Sequence, residues 1–265
     1  MKKYLYSFYI LLFCLFGFLY TSKVLEISKY NDEVRNKIDE YASSYNFDCI
    51  EGSINSDGVV LGYSGIHVDK SLSYSNMKGI GFDKNLLEYK NDECILNKDS
   101  NKDKYIVSGN NIINNISIVI DVNDGKYINS FESVAEKNEV ILNYLMTVNY
   151  LVDNLNNIKR HDNILFKGQN KDDLKNFYRN LHNEFYCVKY SNYDTLNDCE
   201  KMDLNSINPV NYFDKNILSN VKKILNKGVI IFIKENKINL NEFSSVIKYI
   251  KSRGYNIVSI NDLLL

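Results

Sequence analysis

One proline, no tryptophan and three histidines stand among 265 residues. A single proline, in a chain 45% hydrophobic and 25% charged, excludes a collagen-like or mucin-like protein. Charge of one sign is lacking as well: 32 basic and 33 acidic side chains leave a formal charge of -1. Phosphate binding needs a concentrated excess of Lys and Arg, so no nucleic-acid partner is expected. No C-x-x-C occurs, which rules out a zinc ribbon or a thioredoxin motif. With only His67, His161 and His182 in the chain, imidazole chemistry has few residues to draw on. The length itself suits one to two domains.

Long apolar runs are not lacking. Lys2 and Lys3 precede an apolar and aromatic run from Tyr4 to Tyr20, broken only by Ser7 and Gly17. About 17 residues is the short end of what crosses a ~30 Å hydrocarbon core as a helix. The Lys pair before the run, set against Lys23 just after it, places the N-terminus inside. Leu19-Tyr20-Thr21-Ser22-Lys23 offers no A-x-A-like cleavage site, so residues 1–23 are expected to be a cytoplasmic stub and an uncleaved signal-anchor helix. The localisation expected is therefore the cytoplasmic membrane, single-pass, with the bulk of the chain outside. Cys14 falls in the run, leaving Cys49, Cys94, Cys187 and Cys199. Two bridges with three possible connectivities are open to these four. Cys187 and Cys199 read more simply as buried small apolar residues.

Residues 24–112 read as a membrane-proximal helix (Val24 to Asn46) followed by a small, irregular β-containing module. Cys49 to Leu61 and Lys104 to Ser108 are its strand candidates, separated by turns such as Ser56-Asp57-Gly58. From 113 to 265 the pattern turns regular. Apolar strand candidates start near Ile116, Val140, Asn163, Tyr186, Ser206, Val229 and Asn256, with helical patterns between them. That alternation predicts an α/β domain of parallel βαβ units, a distorted or incomplete (β/α)7 barrel. In the last unit Val229-Ile230-Ile231-Phe232-Ile233 reads as a strand covered on both faces. Asn239 with Glu242 is expected to form a capping box, and Gly254 to end that helix in the left-handed conformation. Asp214 is the expected cap of the preceding helix.

The stretch Gly228 to Leu265, with Lys251-Ser252-Arg253-Gly254-Tyr255 and then Ile257-Val258-Ser259-Ile260-Asn261-Asp262-Leu263-Leu264, resembles the C-terminal end of polysaccharide deacetylases, the NodB-homology family. Ile116-Ser117-Ile118-Val119-Ile120-Asp121 is similar to the family's first strand, which normally ends T-F-D-D-G. Gly62-Tyr63-Ser64-Gly65-Ile66-His67-Val68-Asp69 and Asp103-Lys104-Tyr105-Ile106-Val107 resemble the extracytoplasmic lead-in of membrane-anchored Firmicutes members. The resemblance implies metal-assisted removal of an acetyl group from an N-acetylated glycan. In such a site a divalent ion such as zinc polarises the amide and activates water. A first-strand carboxylate is the base, a second carboxylate and an H-x-x-x-H pair hold the metal, and a later His is the acid.

Each requirement meets a departure. Without a gap, Asp121 takes the position of the base and Val122 replaces the carboxylate ligand. Shifted to match Asp124-Gly125, the ligand survives and Asn123 replaces the base, at the cost of an insertion in the strand. A strand-end Asp121 that only caps the next helix is an equal alternative. The H-x-x-x-H pair is missing: the ligand positions downstream of His161-Asp162 fall near Phe166 and Lys167 to Asn170. Lys234 stands where the late His would be, and Lys189-Tyr190-Ser191 is all that matches the substrate loop. No metal cofactor is therefore expected.

Two functions from different classes follow. A pseudo-enzyme of the cell envelope would bind a cell-wall glycan or an envelope protein, with 21 Tyr available for stacking. A divergent hydrolase acting on carbon–nitrogen bonds would use Asp121 or Asp124 with Lys234 and Glu235, and would hold substrate through Asp162, Lys189 and Tyr190. Asp121 facing Glu235 would be the pair for a glycosidase-type reaction. Loss of one carboxylate and both imidazoles favours the pseudo-enzyme.

Overall fold

The structure, a computed structural model, describes residues 2–158, 164–181, 185–190 and 193–265. Its backbone divides into two compact units, residues 1–49 with 65–92, and residues 50–64 with 93–265. This division differs from the boundary expected near residue 112, because strand candidates assigned to the small module join the sheet of the second unit.

The first unit begins with helix α1 (Lys2–Tyr45). The apolar run and the expected membrane-proximal helix are therefore one continuous element of 44 residues, which is about 66 Å at 1.5 Å per residue. From Phe8 onward α1 is long and apolar enough to cross a membrane. Its far end changes character. Val34, Ile38 and Ala42 recur every four residues and are buried, forming a stripe that packs with Val68, Met77 and Leu87. The unit also holds a hairpin and a short helix, described below where they matter.

The second unit begins with β1 (Ser53–Asn55) and β2 (Gly58–Val60), an antiparallel pair. In chain order the hairpin strands of the first unit, β3 (Gly65–Val68) and β4 (Tyr89–Asp92), come next, with helix α2 (Lys70–Met77) between them. The second unit resumes with β5 (Tyr105–Ser108), β6 (Asn115–Asp121), α3 (Ile128–Lys137), β7 (Asn143–Met146), α4 (Val148–Ile158) and β8 (Ile164–Phe166). Then follow α5 (Lys171–Leu181), β9 (Tyr186–Val188), α6 (Leu196–Glu200), β10 (Ser206–Ile207) and β11 (Tyr212–Phe213). The chain ends with α7 (Ile217–Ile224), β12 (Ile230–Lys234), α8 (Lys237–Ser252), β13 (Asn256–Ile257) and α9 (Ile260–Leu263).

Among the described residues, these strands make one curled sheet in the order β1-β2-β5-β10-β9-β8-β7-β6-β12-β11, with β13 also pairing β6. Every pairing from β2 onward is parallel. Helical crossovers between parallel strands put the strand ends that follow each rise at one end, which is where α/β folds build sites. The sheet has two edges, so the barrel is incomplete and distorted, as the alternation of strand and helix predicts.

Strand parity sets two apolar layers. Ile118, Ile120, Ile231 and Ile233 face the helices, where they meet Phe131, Phe177, Phe243 and Val246. Val119, Leu145, Leu165, Ile207, Ile230 and Phe232 face the inside of the curl, which Ile260, Leu263 and Leu264 help to fill. The C-terminal helix α9 thus plugs the interior and leaves the opposite end of the strands polar.

Several local expectations are corrected. Helix α8 starts three residues early: Asn236 is its cap and accepts from the Asn239 amide at 2.8 Å. Glu242 instead accepts from the Leu218 amide at 3.0 Å, so it caps the neighbouring helix α7, whose cap position Asn216 makes no side-chain bond. Asp214 caps nothing. Gly254 has a φ of 79°, the left-handed end expected of α8. Cys187 and Cys199 are joined by a disulfide between β9 and α6 and are not buried thiols. Cys49 and Cys94 are likewise in disulfide form.

Candidate active site at the strand tips

Asp121 is the last residue of β6 and pairs in register with Lys234 of β12 and Leu145 of β7. It shares parity with Val119, so its carboxylate continues the inward-facing row beyond the apolar layer. Lys167 immediately follows β8, held there by its amide bond to the Met146 carbonyl at 2.8 Å. It shares parity with Leu165 and also turns inward. The two side chains meet. Lys167 Nζ donates to Asp121 Oδ1 at 2.7 Å, with side chains only 11% and 2% exposed.

The other carboxylate oxygen is also occupied. Tyr212, from β11, donates its hydroxyl to Asp121 Oδ2 at 2.6 Å. Burial first, and the hydrogen bond to Asp121 second, push the Tyr212 hydroxyl above its ordinary pKa, which keeps it a donor. Lys167 Nζ also lies 4.8 Å from the centroid of the Tyr190 ring, a cation–π distance. A cavity of about 360 Å³ opens here, lined by Val122, Asn123, Thr147, Lys167, Gln169 and Tyr190 among others.

Glu235 has a different task from the one its position suggests. It is 3% exposed and accepts three backbone N–H groups, from Asn123 and Gly125 at 2.9 Å each and from Tyr127 at 2.6 Å. Both oxygens are engaged in holding the turn between β6 and α3. That turn needs Gly125 with its φ of 75°, because a Cβ there would lie 2.4 Å from the Tyr150 hydroxyl. Asp121 and Glu235 therefore do not form a facing pair of available carboxylates. Asp124 is exposed and accepts from the Lys126 amide at 3.1 Å within the same turn. Lys234 and Lys189 are both exposed, and Lys189 Nζ sits 5.2 Å from the Tyr105 ring. Of the residues singled out in the sequence, Asp121 and Tyr190 come together, while Asp124, Lys234, Glu235 and Lys189 do not join them. Asp162, with His161 and His182, lies outside the described residues. Thr147, Lys167, Gln169 and Tyr212 are added by the structure. Lys167 had one visible signal, its place in the stretch where the family's metal-binding imidazoles fall.

The donor set does not fit a catalytic divalent ion. Both oxygens of its strand-end carboxylate, Asp121, accept hydrogen bonds, and an ammonium group stands 2.7 Å from it. Val122, in the position of the second carboxylate, is buried with the apolar layer under the helices. A zinc site needs three or four N, O or S ligands, and a fixed positive charge among them opposes a cation. No histidine occurs at the tips among the described residues.

No family model and no curated protein sequence matches the chain. Solved structures do. A mutant of a CE4 family pseudoenzyme aligns with a TM-score of 0.63 at 18% identity, covering 88% of this chain and 98% of that one. The wild-type pseudoenzyme, from Bacillus anthracis, aligns at 0.61 and 17%, covering 88% and 95%. A peptidoglycan N-acetylglucosamine deacetylase aligns at 0.53 and 13%, covering 60% of this chain and 92% of its own. The chain has the fold of CE4 polysaccharide deacetylases, active and inactive alike.

Proposed function

We propose that this chain is a membrane-tethered, extracytoplasmic protein of the cell envelope that binds a wall glycan at the barrel mouth without deacetylating it. The observation that carries the reading is the buried Lys167–Asp121 ion pair. A general base must receive a proton from the water it activates, and each oxygen of Asp121 already accepts one strong hydrogen bond, from Lys167 or from Tyr212, that a water would have to share. Proton delivery to a leaving amine needs an acid at the late strand tip, and that position is the exposed Lys234.

Binding chemistry remains. Asn123, Thr147 and Gln169 line the cavity with amide and hydroxyl groups, which both donate and accept, Asp173 adds an acceptor carboxylate, and Tyr190 adds a ring face. Uncharged sugars are held by this combination. The likeness to deacetylases and to a pseudoenzyme of the same fold supports a carbohydrate ligand without turnover. Lys2 and Lys3 before the apolar run support a cytoplasmic N-terminus.

The test uses the full chain in detergent micelles with purified peptidoglycan and N-acetylglucosamine oligomers, with and without added zinc. The expected result is co-sedimentation with peptidoglycan, weakened in Y190A, and no acetate release. Acetate produced at a rate that falls in D121N would establish an active hydrolase and end the binding-only reading.

A further inference from the structure

A second constellation of ionisable groups lies in the first unit. Phe47 and Ile66 exchange backbone hydrogen bonds at 3.1 and 3.0 Å, so the chain leaving α1 runs antiparallel beside β3. On its other side β3 pairs with β4, Gly65 opposite Asp92. Gly65 permits the close approach, because a Cβ there would lie 2.3 Å from the Phe47 carbonyl oxygen. Asp48 and Asp92 are thereby drawn to the two sides of one strand, and His67 follows Gly65 by two residues, on the same face.

The donors gather tightly. One ligand atom from each of Asp48, His67 and Asp92 lies within 4.8 Å of the other two. Donors held by one ion at about 2.1 Å sit roughly 3–4 Å apart, so a small movement of side chains closes this set around a cation. The imidazole is the informative member. Its Nε2 is shielded from solvent and makes no hydrogen bond, although Asp48 Oδ1 is 3.0 Å away. A buried ring nitrogen normally finds a hydrogen-bond partner. Asp92 Oδ2 accepts from the Cys49 amide at 2.8 Å, which fixes its carboxylate. Asp48 is 89% exposed and closes the site from outside. Lys90, opposite His67 in the register, is exposed.

We propose that Asp48, His67 and Asp92 bind a divalent transition ion of the zinc class, stapling the segment that follows α1 to the β3–β4 hairpin. One imidazole with two carboxylates selects such an ion over magnesium or calcium, which take oxygen ligands only. The site is independent of the barrel mouth, so its fate and that of the glycan-binding reading are separable.

The full chain in detergent micelles, stripped with a chelator, is titrated with cobalt(II) followed by its visible absorption, and then with zinc. One cobalt per chain, displaced by zinc, is expected. Stoichiometry should vanish in H67Q, and affinity should fall at least about tenfold in D48N, as loss of even an outer partner costs that much. D48N alters an exposed side chain, and its unchanged far-UV circular dichroism would show that the fold is kept. The double variant D121N/K167M should bind as the parent does. No cobalt band, or a band that survives H67Q, overturns the site. A band lost in D121N/K167M would place the ion at the barrel mouth and overturn the site together with the reading of the mouth.

Discussion

Replacing Lys167 by Met removes the ammonium group that pairs with Asp121 at 2.7 Å. Lys167 and Asp121 are 11% and 2% exposed, so solvent offers the orphaned carboxylate almost no relief. Breaking a buried pair by deleting one partner costs about 3–5 kcal/mol, because it leaves a charge uncompensated. A change of 1 kcal/mol moves the midpoint of a 150–250-residue domain by roughly 2–4 °C, so K167M should melt roughly 6–20 °C below the parent. D121N/K167M removes both charges and should recover more than half of that loss. D121N alone should resemble K167M. Circular dichroism melts of the three variants in the same detergent give the double-mutant cycle directly. A K167M protein that melts within about 2 °C of the parent, or a double variant as unstable as the two single losses added, would refute the claim that this pair holds the strand tips.

Two further outcomes follow from neighbouring groups. E235Q keeps the shape of the side chain but presents only one acceptor oxygen to the three amides of the β6–α3 turn, so a buried N–H is left without a partner. A loss of about 1–3 kcal/mol by chemical denaturation, with faster amide exchange at Asn123 to Tyr127, is expected; unchanged exchange would contradict the clamp. Tyr105 donates to Asp194 at 2.6 Å, and burial chiefly, with this bond second, raises its hydroxyl pKa to about 12. A raised pKa contributes stability below the ordinary value of 10.0 that is lost as pH climbs toward 12, and the tyrosinate absorption of Tyr105, isolated as parent minus Y105F, should appear late. The same bond chiefly lowers the Asp194 pKa from 3.8, so its contribution is present above that value and fades as pH falls further.

The fold was legible because its signals are local. Val229 to Ile233 is a continuous apolar run because β12 is covered on both faces, and Gly254 ends α8 because only a left-handed residue fits there. Strand starts near Ile116, Tyr186, Ser206, Val229 and Asn256 fall within one residue of the observed elements, and that near Val140 three residues early. Features set by long-range partners were not legible. Glu242 has the spacing of a capping box with Asn239, yet it caps α7, a choice made by the packing of two helices. Asp121 was visible as a strand-end carboxylate, but Lys167 lies 46 residues away and Tyr212 91, and nothing in their own neighbourhoods announces the pairing. Glu235 is settled by long-range partners in the same way: its place after a strand suits a carboxylate facing Asp121, and only the fold of the β6–α3 turn shows three amides aimed at it.

The ammonium group at the strand tips supplies different chemistry from a divalent ion. A divalent ion carries a second charge and open coordination positions, with which it polarises a carbonyl and lowers the pKa of bound water. Lysine carries one charge, already balanced by Asp121, and it donates hydrogen bonds without accepting an electron pair. The result is an ion pair at the edge of a cavity lined by amides, a hydroxyl, an aromatic ring and the carboxylate of Asp173. On the proposed reading the ligand is a hydroxyl-rich sugar, which can donate to the Asp173 carboxylate and need not displace the Lys167–Asp121 bond of 2.7 Å.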